Sequence, residues 1–304
     1  MVAKMDYPLL FTVDVGNTRT KIGGWTSWDG VAPTYEHVEN FDNYDSTVKW
    51  LSDLPIEDDQ TARWIVSSVN SRKTDVLKRT IRNLRPNDVV KLVALDDIPL
   101  NVRYDYPEKL GLDRAVAAFA GLNLLGFGRP FLVVDVGTAA TIDYVDSEGV
   151  FRGGAILPGP RLTAEALQGK TASLPMLDDP DNTNLSLRTN NCGSEILAYP
   201  ATETHNAIRL GVVFTLVGAI TAFYWQTRRA IARENGDPSQ LALLLAGGDG
   251  LLTKTNLLDY FDDMESALDY KVPRPEIIVE SKLVLLGLKA IEFGKSAGRN
   301  VFLR

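Results

Sequence analysis

The sequence predicts a duplicated α/β protein built from two similar lobes, and three observations carry that expectation. The string "TVDVGNTRTKIGGW" (12–25) returns in outline as "VVDVGTAATIDYV" (133–145). Each copy opens on an apolar, β-rich run that ends in Asp-Val-Gly, at Asp14 and at Asp135. In both halves strands come first and helices after, and the pattern restarts at Pro130. A chain of 304 residues is about twice the common domain size, so two medium domains fit its length. The boundary falls in "GFGRP", which gives an N-terminal lobe of 1–128 and a C-terminal lobe of 129–304. A duplication of this kind sets its two Asp-Gly turns on opposite walls of a cleft, the place for a ligand.

Residues 9–15 read as a strand, Gly16-Asn17 as a tight turn and "TKIGGW" as the returning strand. "RWIVSSV" is a further strand. After it, "SRKTDVLKRTIRNL" carries Val76, Leu77, Thr80, Ile81 and Leu84 at helical spacing. Residues 113–126, "DRAVAAFAGLNLLG", form a strongly apolar helix with Asp113 at its N-terminal end. In the second half "FLVVDVGTAATIDYV" repeats the strand, turn and strand, and "GVFRGGAILPG" adds a third strand with a Gly/Pro turn. Helical patterns follow at 161–169 and 201–234, then the buried strand and glycine turn of "LALLLAGG", and a closing helix at 282–295. The Asn, Asp and Pro of 174–193 predict an irregular loop.

Composition removes several classes. A formal charge of −7 offers no broad positive field for nucleic acid or anionic membrane, so an anionic ligand needs a local site. Trp25, Trp28, Trp50 and Trp64 do not interleave with basic residues as a base-stacking platform would. One cysteine, Cys192, makes no internal disulfide, and with two histidines it leaves no zinc cluster. The N-terminal apolar run is too short for a signal peptide, and no stretch approaches the roughly 18 apolar residues of a membrane span. The expectation is a soluble cytoplasmic protein.

Neither G-x-x-x-x-G-K-[ST] nor G-x-G-x-x-G occurs, so phosphate binding rests on another device. Successive backbone N–H groups in a glycine-containing turn form a concave anion site. Asp14-Val15-Gly16-Asn17-Thr18 suits it: Gly16 admits close approach, Asn17 and Thr18 offer side-chain hydrogen bonds, and Lys21 adds a charge from the returning strand. Asp14 would repel phosphate unless a cation such as Mg²⁺ lies between them, and the same holds for Asp135. Asp before Gly is also an ordinary turn residue; its recurrence at equivalent places favours the phosphate reading. Asp113 opens an apolar helix, where a carboxylate caps free amides or serves as a general base for an alcohol, with Arg114 stabilising transferred charge. Thr204 and His205 sit at a helix start, where threonine is commonly a cap. The Gly-Gly of "LLLAGGDG" suits either a tight turn or an approach to adenine or ribose.

Together "DVGNTRTKIG" (14–23), "YDYPEKLGLDR" (104–114), "VVDVGTAATID" (133–143), "GGAILPG" (153–159), "TETHNAIRLG" (202–211) and "LVLLGL" (283–288) resemble the type III pantothenate kinase family. That family is a branch of the acetate kinase, sugar kinase, Hsp70 and actin superfamily. The resemblance implies duplicated ribonuclease H-like (actin-like ATPase) lobes, each a mixed β-sheet with flanking helices, and an ATP cleft between them. It implies ATP-dependent phosphorylation of pantothenate in coenzyme A biosynthesis. Asp14, Val15, Gly16, Asn17, Thr18, Arg19, Thr20 and Lys21 would bind the ATP phosphates, and Thr138 would also contact ATP. Asp113 would accept the proton beside Arg114, while Tyr104, Gly111, Leu112, Asp113, Arg114 and Thr204 contact pantothenate. Asp135 would bind a monovalent cation, K⁺ or NH₄⁺, required beside Mg²⁺, and members are homodimers. The chain departs from the family pattern at Ala115, where an aromatic residue is usual, and in "SSVNSR", which lacks a proline. Two other readings are a kinase for a different small alcohol and a non-catalytic sensor of ATP or pantothenate; intact Asp14, Asp113 and Asp135 weigh against the sensor.

Overall fold

The computed structural model describes residues 9–25, 35–39, 44–54, 60–175, 177 and 199–297. Cys192 and most of the 174–193 segment lie outside the described residues. In chain order the elements begin with β1 (Leu9–Val15), β2 (Thr20–Trp25), β3 (Tyr35–Glu39), α1 (Tyr44–Ser52), β4 (Ala62–Ser68), α2 (Ser71–Leu84), β5 (Val89–Leu92), β6 (Asn101–Val102) and α3 (Leu112–Leu125). They continue with β7 (Phe131–Val136), β8 (Ala139–Val145), β9 (Val150–Pro158), α4 (Pro160–Lys170), α5 (Thr204–Arg233), β10 (Ala242–Gly247), α6 (Gly250–Leu268), β11 (Ile277–Val279) and α7 (Leu283–Ala297). Two compact units result, Met1–Gly126 with Lys282–Arg304, and Phe127–Ser281.

The sheets of the two units share one topology. In the first the order is β3-β2-β1-β4-β5, and the second unit's own five strands run β9-β8-β7-β10-β11. Each central strand, β1 or β7, pairs antiparallel with its hairpin partner on one side and parallel with β4 or β10 on the other. Antiparallel strands need only a short turn, whereas parallel ones need a crossover, so a hairpin-then-helix sequence order yields this mixed sheet. The internal repeat read from the sequence is therefore a repeat of topology.

In the first unit the side chains of β1 alternate between two apolar layers. Phe11, Val13 and Val15 pack with Trp50 and Leu51 of α1, Trp64 of β4, and Leu77 and Ile81 of α2. Trp64 is fully buried; its ring stacks on Phe11 with centroids 4.3 Å apart, and its Nε1–H donates to Asp88 Oδ2 at 2.9 Å. That bond removes the cost of burying the indole's one donor. On the other face the Trp25 Nε1–H donates to Thr12 Oγ1 at 2.8 Å, and Lys289 of α7 lies 4.6 Å above the Trp25 ring. α7 packs along α3, and the approach is close: a Cβ on Gly287 would stand 2.6 Å from the Val116 carbonyl oxygen. The closing helix, which the sequence order put with the C-terminal lobe, thus packs in the first unit.

In the second unit Leu132, Val134 and Val136 of β7 pack with Leu243 and Leu245 of β10 and with α5. Over 30 residues α5 is long and apolar enough to cross a membrane, with a mean hydropathy of 1.8 over its best 18-residue window. That differs from the expectation that no such stretch exists, because the isolated Arg209 and the glycines within α5 do little to lower a window average. Its Ile208, Val212, Val213, Leu216, Val217, Ile220, Tyr224 and Ile231 lie in the unit's core, which accounts for their apolarity.

Candidate active site

The first candidate element is the β1–β2 hairpin. Asp14 stands opposite Lys21 in the antiparallel register and beside Ser67 in the parallel one. Both Asp14 and Lys21 are half-buried, while Asn17, Thr18 and Arg19 at the tip are exposed. The Gly16 N–H donates to the Arg19 carbonyl at 3.0 Å and closes the turn. A Cβ at Gly16 would meet that same oxygen at 2.9 Å, so the closure requires glycine. Val15 and Thr20, paired at the base of the turn, are buried, so only their backbones are available to a ligand.

The second element is the start of α3. Gly111, not Asp113, is the N-cap, and it supplies no side-chain hydrogen bond. Asp113 is the second helical residue; its Oδ1 accepts the Arg114 N–H at 2.8 Å, and it lies within the first turn, where the helix dipole favours a carboxylate. Gly111 makes room for it, since a Cβ there would stand 2.6 Å from Asp113 Oδ1. Arg114 is buried, with its guanidinium 6.0 Å from the centre of the Tyr104 ring, and Tyr104 and Leu112 are half-buried. Hairpin and α3 start belong to the same unit.

The second unit repeats the turn with different chemistry. Asp135 pairs with Thr141 on β8, where its counterpart Asp14 faces a lysine. Gly137 and Thr138 are exposed at the tip, and the Gly137 N–H donates to the Ala139 carbonyl at 3.1 Å. Two further glycines, Gly159 and Gly247, close around this tip. Gly159 N–H donates to the Thr138 carbonyl at 2.9 Å, and a Cβ on Gly159 would stand 1.9 Å from the Gly137 oxygen. Gly247, at φ +85°, lies so close to β7 that a Cβ would be 2.2 Å from the Val136 oxygen and 2.6 Å from Asp135 Oδ1. The first glycine of "LLLAGGDG" therefore serves the Asp135 turn.

Thr204 is the first residue of α5 and exposed, but it is not the cap. The cap is Glu203, whose carboxylate accepts the N–H groups of His205 and Asn206, both at 2.8 Å. Those two bonds hold its pKa below the usual carboxylate value. With the helix amides satisfied by Glu203, the Thr204 hydroxyl is not committed to capping.

Two units that share the order of five strands, each with an Asp-x-Gly turn after its central strand, define the class of actin-like folds. MreB5 of Spiroplasma citri, solved bound to ADP, shares this fold with a TM-score of 0.50 at 12% identity, covering 96% of this chain and 98% of that one. Within the class, residues 10–226 match the model of the type III pantothenate kinase family, and the chain belongs to that family. It is 30% identical over 246 residues to the type III pantothenate kinase of Rubrobacter xylanophilus, covering 79% of this chain and 86% of the relative. With that of Persephonella marina it is 26% identical over 272 residues, covering 86% and 96%. The family phosphorylates pantothenate in coenzyme A biosynthesis.

Proposed function

We propose that this chain transfers the γ-phosphoryl group of ATP to the terminal hydroxyl of pantothenate, giving 4'-phosphopantothenate, with Asp113 as general base. The observation that carries the assignment of roles is the start of α3. It presents a half-buried carboxylate with room made for it by Gly111, next to a buried arginine whose guanidinium lies 6.0 Å from the centre of a tyrosine ring. Asp113 takes the hydroxyl proton as oxygen attacks phosphorus, and Arg114 offsets the charge that develops. Tyr104 and residues 111–114 orient pantothenate. The turn from Asp14 to Lys21 binds the phosphates, and Thr138 also contacts ATP.

Among the described residues no cluster of three or more His, Cys, Asp or Glu forms a metal cage. Mg²⁺ characteristically takes one or two carboxylates and completes its shell with phosphate oxygens and water, which Asp14 at the end of β1 suits. Bound with ATP, it supplies charge neutralisation at the transferred phosphoryl group. Asp135 Oδ1 and the Val136 carbonyl oxygen, both beside Gly247, are oxygen ligands of the kind a K⁺ or NH₄⁺ ion takes. The outward residues of α5 support a homodimer: Phe214 and Gly211 are exposed, and Tyr199, in edge contact with Phe214, is 81% exposed. A lone cysteine fits a cytoplasmic enzyme.

The cation assignment has a direct test. Pantothenate-dependent ADP release in K⁺ or NH₄⁺ buffer exceeds that in Na⁺ buffer by about tenfold or more, and Asp135→Asn removes the difference. Equal rates in all three buffers would take the cation site out of the account.

A further inference from the structure

We propose that Lys73 is a positioning residue for nucleotide binding, acting through the Thr18 carbonyl; this rests on the reading of the Asp14–Lys21 turn as the phosphate site. Lys73 is the third residue of α2 and would pass for a solvated surface charge. Instead its side chain is buried, 8% exposed, and its Nζ donates to the Thr18 carbonyl oxygen at 3.1 Å, across 55 residues of sequence. Burying an ammonium group is costly unless it meets a polar partner. Here one such partner is the main chain of an otherwise exposed turn.

The base of this strut is anchored. The Lys73 N–H donates to the N-cap Asn70 Oδ1 at 3.1 Å, and the Asn70 N–H to Ser68 Oγ at 3.0 Å. The Thr74 hydroxyl donates to the Asn70 carbonyl at 2.9 Å and approaches Ser68 Oγ at 2.6 Å. The Val69 N–H donates to the Val15 carbonyl at 3.1 Å. The β4–α2 junction therefore holds the hairpin at two carbonyls, one at its base and one at its tip.

Peptide planarity turns this contact into a statement about anions. A trans peptide points its C=O and the next N–H in opposite directions. With the Thr18 oxygen drawn down to Lys73, the Arg19 N–H is turned to the other side, the side of the exposed tip. An anion-binding turn needs its N–H dipoles on the ligand side and its carbonyl oxygens away from it. The ammonium also adds a positive charge beneath the turn, which favours an anion above it.

The test is ATP binding measured by calorimetric titration with Mg²⁺ and without pantothenate, on the full chain carrying Lys73→Met or Lys73→Arg. Loss of a charged hydrogen bond predicts about 10-fold weaker ATP binding for Lys73→Met, with Lys73→Arg within about threefold of the parent. The KM for pantothenate at saturating ATP stays within about twofold in both, a split that a merely structural role would not give. Lys73→Gln replaces Lys73→Met, with the same expectation, if the methionine variant does not fold. ATP binding by Lys73→Met within about twofold of a parent that binds well would overturn the role of Lys73 and leave the kinase reading intact. A parent that binds no ATP would overturn both.

Discussion

Replacing Asp113 by asparagine lowers kcat by about 10² to 10⁴, the usual scale for a general base, while ATP binding stays near that of the parent. The substitution is nearly isosteric. Asparagine keeps an oxygen that can accept the Arg114 N–H, now made at 2.8 Å, so the first turn of α3 keeps its shape. What it loses is the capacity to take up a proton from the attacking hydroxyl. Arg114 and Tyr104 are unchanged and asparagine keeps a polar group at the Asp113 position, so the loss falls mainly on turnover. Steady-state kinetics with a parallel ATP titration separate the two effects. Turnover near the parental rate would remove Asp113 from the mechanism.

Gly159→Ala acts on the second turn by a different route. The Gly159 backbone, at φ −69° and ψ 172°, is one that alanine adopts readily, so strain in the main chain is not the cause. The obstacle is contact: the new Cβ would stand 1.9 Å from the Gly137 oxygen and 2.8 Å from the Thr138 oxygen. Both are backbone atoms, so the turn itself must move and the 2.9 Å bond from the Gly159 N–H to Thr138 is strained. Overpacking of this kind costs about 1–3 kcal/mol. If the shift is borne by the turn, the KM for ATP rises by about 10-fold or more, since 1.4 kcal/mol is a factor of ten. The pantothenate KM changes less, because the substitution leaves Tyr104 and residues 111–114 unaltered. A parental KM for ATP in a variant whose turn has moved would show that Thr138 does not contact the nucleotide.

The sequence conveys the hairpins, α2, α3 and the start of α5 because each depends on short-range signals. An apolar run ending in Asp-x-Gly is a strand and turn wherever it stands, and Val76, Leu77, Thr80 and Ile81 mark one helical face in any context. α6 gives no such signal: two of its five buried residues are Thr253 and Asn256, and its apolar Leu251 is 70% exposed. The lobe to which α7 belongs is equally silent, because an apolar stripe does not name its partner; the partner is α3, fitted at Gly287.

The candidate site divides in the same way. Asp14 and Asp135 stand out because the same Asp-Val-Gly follows an apolar strand in both halves, and Asp113 because it is the carboxylate that opens an otherwise apolar helix. Lys73 and Gly159 do not stand out, since their roles lie in contacts to main-chain oxygens 55 and about 20 residues away. Thr204 is recognisable as a helix start, but the identity of the cap turns on the reach of the Glu203 side chain, which no pattern specifies.

The most direct test of the account follows both products of one reaction mixture, with ATP, Mg²⁺ and K⁺, with and without pantothenate. Phosphorus NMR or mass spectrometry detects 4'-phosphopantothenate and a separate assay detects ADP. The predicted result is one ADP formed for each 4'-phosphopantothenate, and no ADP above background when pantothenate is left out. ADP release that is indifferent to pantothenate, or no phosphopantothenate from a protein that binds ATP, would contradict it.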